Sequence, residues 1–289
     1  MLIPLDIREG ARTLTERFGN SRTYVLGHSA GELERLRIQA RLIDRITRGF
    51  LRDGGIAEGM RVLDVGTCAG DAAFMAAELV GESGEVVGVD RAPDAIMTAT
   101  ERVALAGLRN VSFLAGDPVQ MSFERPFDAV VGRYVLMFQP DPAAMLRALA
   151  MHVRPGGVVI FHEPDRDGVR SFPPVPLYDR CCKLVDETFR RWGGDPRMGI
   201  KLYPTFIAAG LPAPRMRLES VIGGGASSSD QVHFEMDVVG SLIREIERFG
   251  IATDGELQCQ TLAERVLADV EASGSVIVGR SEVGAWCRR

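Results

Sequence analysis

The sequence predicts an α/β fold whose core is a doubly wound, mostly parallel sheet of seven strands. Short apolar segments alternate with amphipathic helical segments between residues 61 and 161, a pattern that indicates βαβ units. The predicted strands are apolar along their whole length, as expected where helices cover both faces of a sheet. Because βαβ crossovers are right-handed, such a chain winds the sheet in both directions from its centre.

The elements of this core follow one another at short intervals. A helix is predicted after Ser29, where Glu32 completes a capping-box spacing, and it ends at Gly54-Gly55. The apolar pattern then predicts strands at residues 61–65, 85–89, 111–115, 127–131 and 158–161, with helices at 71–80, 93–106 and 141–153.

The regular alternation stops after residue 165. Apolar residues at three- and four-residue spacing predict helices over 174–192, 202–210, 230–249 and 255–273, and strands are predicted at 214–222 and 275–286. We therefore predict an N-terminal lid and helix (residues 1–53), a cofactor-binding core (54–165), and helical insertions that cover the substrate together with the last strands (166–289).

Composition excludes several classes of protein. The 34 basic and 39 acidic residues give a net charge of −5 with no basic run, which argues against a nucleic-acid surface. The longest uncharged run, residues 202–214, is too short to span a membrane, and Asp6, Arg8 and Glu9 interrupt any signal sequence at the start. A cytoplasmic protein is expected. Five cysteines without a CxxC pair suggest neither a disulfide framework nor a metal site.

Chemistry is expected where the parallel strands end, because ligands of such sheets bind beyond the carboxyl ends of the strands. The first strand runs into the turn Asp64-Val-Gly-Thr-Cys-Ala-Gly-Asp71, whose glycines permit a tight turn and close approach to a ligand. The second strand ends at Asp90, where a carboxylate can accept hydrogen bonds from both ribose hydroxyls of a nucleoside. The third ends at Gly116-Asp117, and the fifth at His162-Glu163.

The first turn lacks the phosphate-binding G-x-G-x-x-G pattern, and Asp71 at the start of the next helix would repel a pyrophosphate. An adenosine that carries a cationic, amino-acid-bearing group fits this turn better. S-adenosyl-L-methionine has that structure.

Five segments in order resemble the class I S-adenosylmethionine-dependent methyltransferases, and most of all the small-molecule enzymes related to ubiquinone and menaquinone biosynthesis. The segments are VLDVGTCAG, VVGVD, AGDP, FDAVVGRYVL and RPGGVVIFHEP, and the similarity covers about residues 24–165. It implies a Rossmann-like fold with helical lid insertions. One departure is Cys68, which replaces the middle glycine of the first motif and narrows the approach to the cofactor.

The resemblance implies roles for individual residues. It places the first turn beside the methionine part of the cofactor, Asp90 at the ribose, and Asp117 at the adenine amino group. Together with an N-terminal lid residue and the end of the fourth strand, the implied cofactor-binding set is Tyr24, Asp64, Gly66, Thr67, Cys68, Gly70, Asp90, Arg91, Gly116, Asp117, Pro118 and Arg133.

Three residues are candidates for catalysis. His162 and Glu163 end the fifth strand, where either could act as a general base, although Glu163 precedes Pro164 and a role in supporting the turn is the alternative. Tyr134 is a candidate substrate contact.

The fourth strand lacks the [Asn/Asp]-Pro-Pro-[Tyr/Phe] pattern of enzymes that methylate nucleobases or glutamine amides, so a small-molecule acceptor is expected. O-, N- and C-methylation remain open, as does a homodimer. The rival interpretations are a protein that binds the cofactor without methylating and, less favoured, an NAD-dependent oxidoreductase.

Overall fold

The structure is a computed structural model that describes the backbone of residues 30–289 and the side chains from Leu42 onward. Tyr24 and the rest of the predicted N-terminal lid lie outside the described residues. The first described helix, α1 (Ala30–Gly54), ends where Gly54-Gly55 predicts its end.

The core alternates strands and helices in the predicted order, but the helix predicted over 141–153 ends at Ala150 and the strand predicted at 158–161 extends over Val153–Asp165. The strands are β1 (Arg61–Val65), β2 (Glu85–Asp90), β3 (Val111–Ala115), β4 (Phe127–Arg133) and β5 (Val153–Asp165). The helices between them are α2 (Asp71–Val80), α3 (Pro93–Ala106) and α4 (Pro142–Ala150). Asp141 caps α4 by accepting a hydrogen bond from the Ala144 amide at 2.8 Å.

The chain after residue 169 returns to the same sheet. It contains β6 (Arg170–Phe172), α5 (Pro176–Trp192), α6 (Met198–Ala208), β7 (Arg215–Gly224), α7 (Ser229–Arg248), α8 (Asp254–Leu257), α9 (Leu262–Ser273) and β8 (Val276–Arg288). The predicted helix over 255–273 is divided, because Gln258 takes a left-handed conformation (φ +52°) that ends α8.

The sheet runs in the order β3-β2-β1-β4-β5-β8, and β7 pairs with the other edge of β8. Strands β1 to β5 are parallel, whereas β8 is antiparallel to both β5 and β7. The eighth strand of this sheet, which the sequence does not predict, is the three-residue β6; it pairs with residues 276–278 of β8. The α/β class and the mostly parallel sheet are confirmed.

Helices pack on both faces of the sheet, as the apolar strands predict. Within β1, Val62 belongs to the apolar cluster beneath α1 and α2, while Leu63 belongs to the cluster on the opposite face. Helix α1 contacts α2, α7, β5 and β8, so it lies across the C-terminal half of the fold. No helix in the described part of the chain is long and apolar enough to cross a membrane.

Candidate active site

The turn after β1, here called the glycine cradle, has two glycines at which a Cβ atom would collide with neighbouring side chains. Gly66 has φ +64°, and a Cβ atom there would lie 2.7 Å from Cγ2 of Val135. Gly70 has φ +90°, and a Cβ atom there would lie 2.9 Å from the Phe113 ring. Both positions therefore require glycine for conformation and for space.

The Asp90 carboxylate links this turn to the start of α3. Its carboxylate accepts hydrogen bonds from the amides of Cys68 and Ala92, both at 2.9 Å. Cys68 holds the left-handed conformation (φ +50°) that a glycine would adopt freely, at a cost of about 1–3 kcal/mol. The replacement of the middle glycine thus leaves the backbone of the turn intact, and Asp90 helps to fix it.

Asp64 lies beneath the turn and is 1% exposed. Its Oδ2 accepts a hydrogen bond from the Thr67 hydroxyl at 2.6 Å, while Oδ1 has no partner among the described residues. Burial raises the pKa of Asp64 to about 7 against the opposing effect of the Thr67 hydrogen bond. Because buried polar atoms in proteins are nearly always hydrogen-bonded, Oδ1 marks a place for a donor from a ligand or a water.

Residues from the ends of β2 and β3 form the next part of the site. The Gly116 amide donates to the Asp90 carbonyl at 2.8 Å, which joins the two strand ends. Asp117 accepts from the Arg91 guanidinium at 2.8 Å and from the amide of Val119 at 3.0 Å. The Pro118 carbonyl is 2.8 Å from Nε2 of His152. The ends of β2 and β3 therefore bring four predicted residues together, on the same edge of the sheet as the first turn: Arg91, Gly116, Asp117 and Pro118.

Arg133, at the end of β4, connects the cradle to α1. Its buried guanidinium donates to Asp44 at 2.9 Å and to Asp71 at 3.3 Å. Asp71 also forms an ion pair with Arg102 at 2.8 Å. Two arginines thus compensate the negative charge of Asp71. Asp71 therefore repels an anion at the start of α2 less strongly than the sequence alone predicts.

Tyr134, directly after β4, belongs to a second polar cluster. Its other members are His162 of β5 and Arg280 and Glu282 of β8. Tyr134 has φ +57°, and its hydroxyl donates to Oε2 of Glu282 at 2.8 Å and accepts from Arg280 at 3.0 Å. Burial raises the pKa of Tyr134. Its hydroxyl is therefore protonated and held in one orientation by two residues of β8.

His162 lies under the same cluster, 2% exposed. Its Nε2 is 2.7 Å from Oε2 of Glu282, and its Nδ1 is 3.2 Å from the Thr47 hydroxyl. Burial lowers the pKa of His162, so the ring is neutral at pH 7. Burial alone would raise the pKa of Glu282, but Arg280 and His162 outweigh it and bring that pKa to about 2.

Glu163 points to a different set of partners. Its Oε1 accepts from the amides of Val135 and Leu136 at 2.9 and 2.7 Å, and its Oε2 accepts from Met137 at 3.3 Å. The side chain is 0% exposed, and burial raises the pKa of Glu163 to about 8 despite these three hydrogen bonds. The carboxyl group fastens the turn after β4 to the end of β5.

Four of these residues are not among the sequence candidates. Asp44 and Thr47 come from α1, and Arg280 and Glu282 come from β8. A signal for the last two is present in the sequence, because Arg280-Ser-Glu282 interrupts an otherwise apolar strand with charges on one face. Thr47 carries no comparable signal, since a threonine on a helix is ordinary.

Comparisons with known proteins find methyltransferases among the proteins similar to this chain. Residues 56–208 match a family model described as a methyltransferase domain. Aklanonic acid methyltransferase DauC from Streptomyces sp. (strain C5) is 40% identical over 139 residues, which are 46% of this chain and 62% of that protein. Demethylmenaquinone methyltransferase from Lactococcus lactis is 30% identical over 131 residues, 45% of this chain and 50% of that protein. The similarity thus spans 50–62% of the length of these two curated relatives.

Solved structures share the fold at low sequence identity. YcgJ protein from Bacillus subtilis superposes with a TM-score of 0.52 and 16% identity, covering 85% of this chain and 99% of that chain. Coclaurine N-methyltransferase, bound to N-methylheliamine and SAH, gives a TM-score of 0.50 and 13% identity, covering 85% of this chain and 72% of that chain. Because the family model covers more than half of the sequence, the chain belongs to the methyltransferase-domain family.

Proposed function

We propose that this protein transfers a methyl group from S-adenosyl-L-methionine to a small-molecule acceptor. The observation that carries the proposal is the Asp90 carboxylate, fixed at the end of β2 by the amides of Cys68 and Ala92 directly beside the glycine cradle. Each oxygen accepts one of these bonds and retains a lone pair, so the carboxylate can also accept from the two ribose hydroxyls.

The residues present fit the cofactor. Gly66 and Gly70 pack too closely against Val135 and Phe113 to carry side chains, so their part of the turn is bare backbone that a ligand can approach. Oδ1 of Asp64 lacks a donor among the described residues. We propose that the methionine part lies against Asp64, Gly66, Thr67, Cys68, Gly70 and Arg133, and the adenine against Arg91, Gly116, Asp117 and Pro118. Tyr24 stays a prediction. When bound, the cofactor supplies a methyl group that its sulfonium makes electrophilic.

The protein's own contribution is mainly alignment. Tyr134 is held by Glu282 and Arg280, and both of its polar contacts are made within the protein. A fixed side chain of this kind can orient an acceptor in line with the methyl group, which is catalysis by proximity. A nucleophile on the aligned acceptor would take up the methyl group as the S–CH₃ bond breaks, S-adenosylhomocysteine would leave as a neutral thioether, and any proton on the nucleophile would pass to solvent.

For His162 and Glu163 we propose positioning roles instead of the base role that the sequence suggests. Both ring nitrogens of His162 have partners in the protein, and three backbone amides engage the Glu163 carboxyl group. His162 acts through Glu282, whereas Glu163 sets the turn that carries Tyr134. An alignment mechanism accommodates O-, N- or C-methylation.

The names of the similar enzymes support a small-molecule acceptor. Aklanonic acid and demethylmenaquinone, which appear in those names, are small organic molecules. We propose that residues 1–53 and 166–289 cover such an acceptor, while residues 54–165 hold the cofactor.

The cysteines bear on where the protein works. All five are outside disulfides, and Cys181, Cys182 and Cys287 are buried thiols. Because free thiols persist in reducing compartments, we propose a cytoplasmic location. Cell fractionation checks it. Two expectations about partners remain predictions. An electrophoretic mobility shift assay tests whether the protein binds no nucleic acid, and light scattering tests whether it forms a homodimer.

The first experiment is calorimetric titration with S-adenosylhomocysteine, the demethylated product of the cofactor. Asp90→Ala removes the ribose acceptor and is expected to weaken binding at least tenfold, about 1.4 kcal/mol. Asp94→Ala is the matched control, because Asp94 is an exposed aspartate in the first turn of α3. Its affinity should equal that of the wild type.

Two results contradict the proposal. If the wild type binds NAD and not S-adenosylhomocysteine, the oxidoreductase interpretation replaces it. If the product binds but no acceptor in a broad panel gains a methyl group from labelled cofactor, the protein binds the cofactor without methylating. Equal affinities for Asp90→Ala and wild type would overturn the assignment of Asp90.

A further inference from the structure

A small cavity lies beside the second polar cluster, between α1, α7 and β8. Its inner volume is about 30 Å³, within about 370 Å³ of empty space that includes the solvent at its mouth. Ile43 and Phe234 provide apolar walls, and Gln231, Glu235, Arg280 and Glu282 provide polar ones. The inner volume has room for the polar edge of a ligand, about the size of one water molecule.

Gln231 is the unusual member of this wall. It is 6% exposed, yet neither Oε1 nor Nε2 of its amide has a hydrogen-bond partner among the described residues. A buried polar atom without a partner destabilises the folded protein, because it has lost its hydrogen bonds to water. A Cβ atom on Gly279 would lie 3.6 Å from Nε2, so this glycine borders the amide without donating to it or accepting from it. The side chain therefore presents an unused acceptor and an unused donor next to each other.

The charged residues of the wall already have partners. Arg166 forms an ion pair with Glu235, and Arg280 forms one with Glu282 at 2.7 Å. The Arg280 guanidinium also lies 4.8 Å from the Phe234 ring centre. An anionic ligand would have to compete with these carboxylates for the two arginines. A cationic ligand would have to compete with the two arginines for the carboxylates. The wall favours an uncharged ligand.

The cavity adjoins the place where the methyl group is expected. Glu282 and Arg280, which line it, bind the Tyr134 hydroxyl at 2.8 and 3.0 Å. Tyr134 follows Arg133, whose guanidinium contacts Asp71 at the start of α2 beside the cradle. The cavity wall and the glycine cradle are thus joined by a continuous series of side-chain contacts.

We propose that Gln231 selects the methyl acceptor by a two-point hydrogen bond to an uncharged group with a donor beside a carbonyl. A carboxamide, a lactam or an α-hydroxyketone has this pattern, whereas a carboxylate lacks the donor. This inference rests on the proposed function, because it names the acceptor class of the same site. It makes Gln231 a specificity-determining residue of α7.

The test uses three fragments that share a phenyl ring and a carbonyl group. Benzamide and 2-hydroxy-1-phenylethanone are neutral and carry the donor, and benzoate is the anionic counterpart of benzamide. Their dissociation constants are measured by ligand-observed NMR on the full chain saturated with S-adenosylhomocysteine. Wild type should bind benzamide or the hydroxyketone at least about tenfold more tightly than benzoate.

Gln231→Leu and Gln231→Glu should each lose at least about tenfold in affinity for the neutral fragment, with unchanged affinity for S-adenosylhomocysteine. Gln260→Leu is the control, because Gln260 is an exposed glutamine in the 3₁₀ turn after α8. Thermal unfolding provides a second readout. Since Gln231→Leu removes two unpaired polar atoms, it should not lower the melting temperature, as loss of a structural hydrogen bond would.

The inference fails if neither neutral fragment binds, if benzoate binds as tightly, or if the Gln231 variants keep wild-type affinity. In the first case the amide meets water only. Failure of the proposed function is a separate result, because it appears as absent S-adenosylhomocysteine binding in the same samples. Binding of that product together with unaltered fragment affinity in Gln231→Leu would leave the methyltransferase proposal standing and remove this one.

Discussion

At the scale of single residues, Glu163 combines complete burial with a set of backbone donors. Burial disfavours the charged carboxylate and raises its pKa to about 8, while the amides of Val135, Leu136 and Met137 favour that charge and limit the rise. A group whose pKa is higher in the folded than in the unfolded chain binds more protons when folded. Glu163 therefore contributes its whole stabilisation below about pH 4.5, and this stabilisation is lost as the pH rises through about 8.

Glu163→Gln tests this assignment because glutamine is nearly isosteric and does not titrate. Between about pH 5 and 8, the free energy of unfolding of the wild type should fall by at least about 1 kcal/mol relative to the variant. Urea unfolding at a series of pH values measures it. Glu82→Gln, at an exposed glutamate, should give a curve parallel to the wild type. A parallel curve for Glu163→Gln would show that the carboxyl group keeps its ordinary pKa.

At the scale of elements, helix α1 is attached to the sheet by two kinds of contact. Near its middle, Asp44 binds Arg133, whose side chain is 9% exposed, and the Thr47 hydroxyl contacts His162. Nearer its end, Asp53 pairs with Arg217 of β7, where both side chains are at least one third exposed. Because solvent screens the second pair, the buried contact should dominate the docking of the helix.

Asp44→Ala is therefore expected to destabilise the protein more than Asp53→Ala, by about 1 kcal/mol or more. Arg133 keeps Asp71 as a partner, which limits the loss. Hydrogen exchange followed by mass spectrometry should show faster exchange in residues 42–54 for Asp44→Ala. Equal exchange in the two variants would mean that apolar packing alone holds α1.

At the scale of the whole molecule, Arg166 joins the sheet to the helices that follow it. It comes directly after β5, is 3% exposed, and pairs with Asp186 of α5 and Glu235 of α7. Its Nη1 donates to Oε2 of Glu235 at 3.1 Å. One guanidinium thus compensates the buried Glu235 and the half-buried Asp186. Helix α7 also carries Gln231 and Phe234 of the proposed acceptor cavity.

Arg166→Ala leaves the buried Glu235 and the half-buried Asp186 without their cation and should lower the free energy of unfolding by about 3–5 kcal/mol. Urea denaturation followed by the fluorescence of Trp192 and Trp286 and by circular dichroism measures it. Arg170→Ala, at an exposed arginine of β6, should stay within about 0.5 kcal/mol of the wild type. A loss below 1 kcal/mol for Arg166→Ala would mean that the two acids take up protons or water instead.

Prediction from sequence succeeds where an element is specified locally. Strands β1 and β3 and helices α2 and α3 have the predicted bounds, because an apolar run ending at a glycine or an acid contains the signal for both element and boundary. Strand β6 could not be predicted in this way. Its three residues are a strand only because they pair with residues 276–278 of β8, more than a hundred positions later.

The candidate site also has a part that local sequence specifies and a part that depends on contacts between distant residues. The sequence by itself determined the turn from Asp64 to Asp71 and the acids at the strand ends, because each strand-turn-helix unit sets its own geometry within a few residues. Only the tertiary structure decided the second polar cluster. Thr47 and His162 are 115 positions apart, and Tyr134 and Glu282 are 148 apart. Hydrogen bonds between such distant residues form only when the folded sheet brings α1, β4, β5 and β8 together.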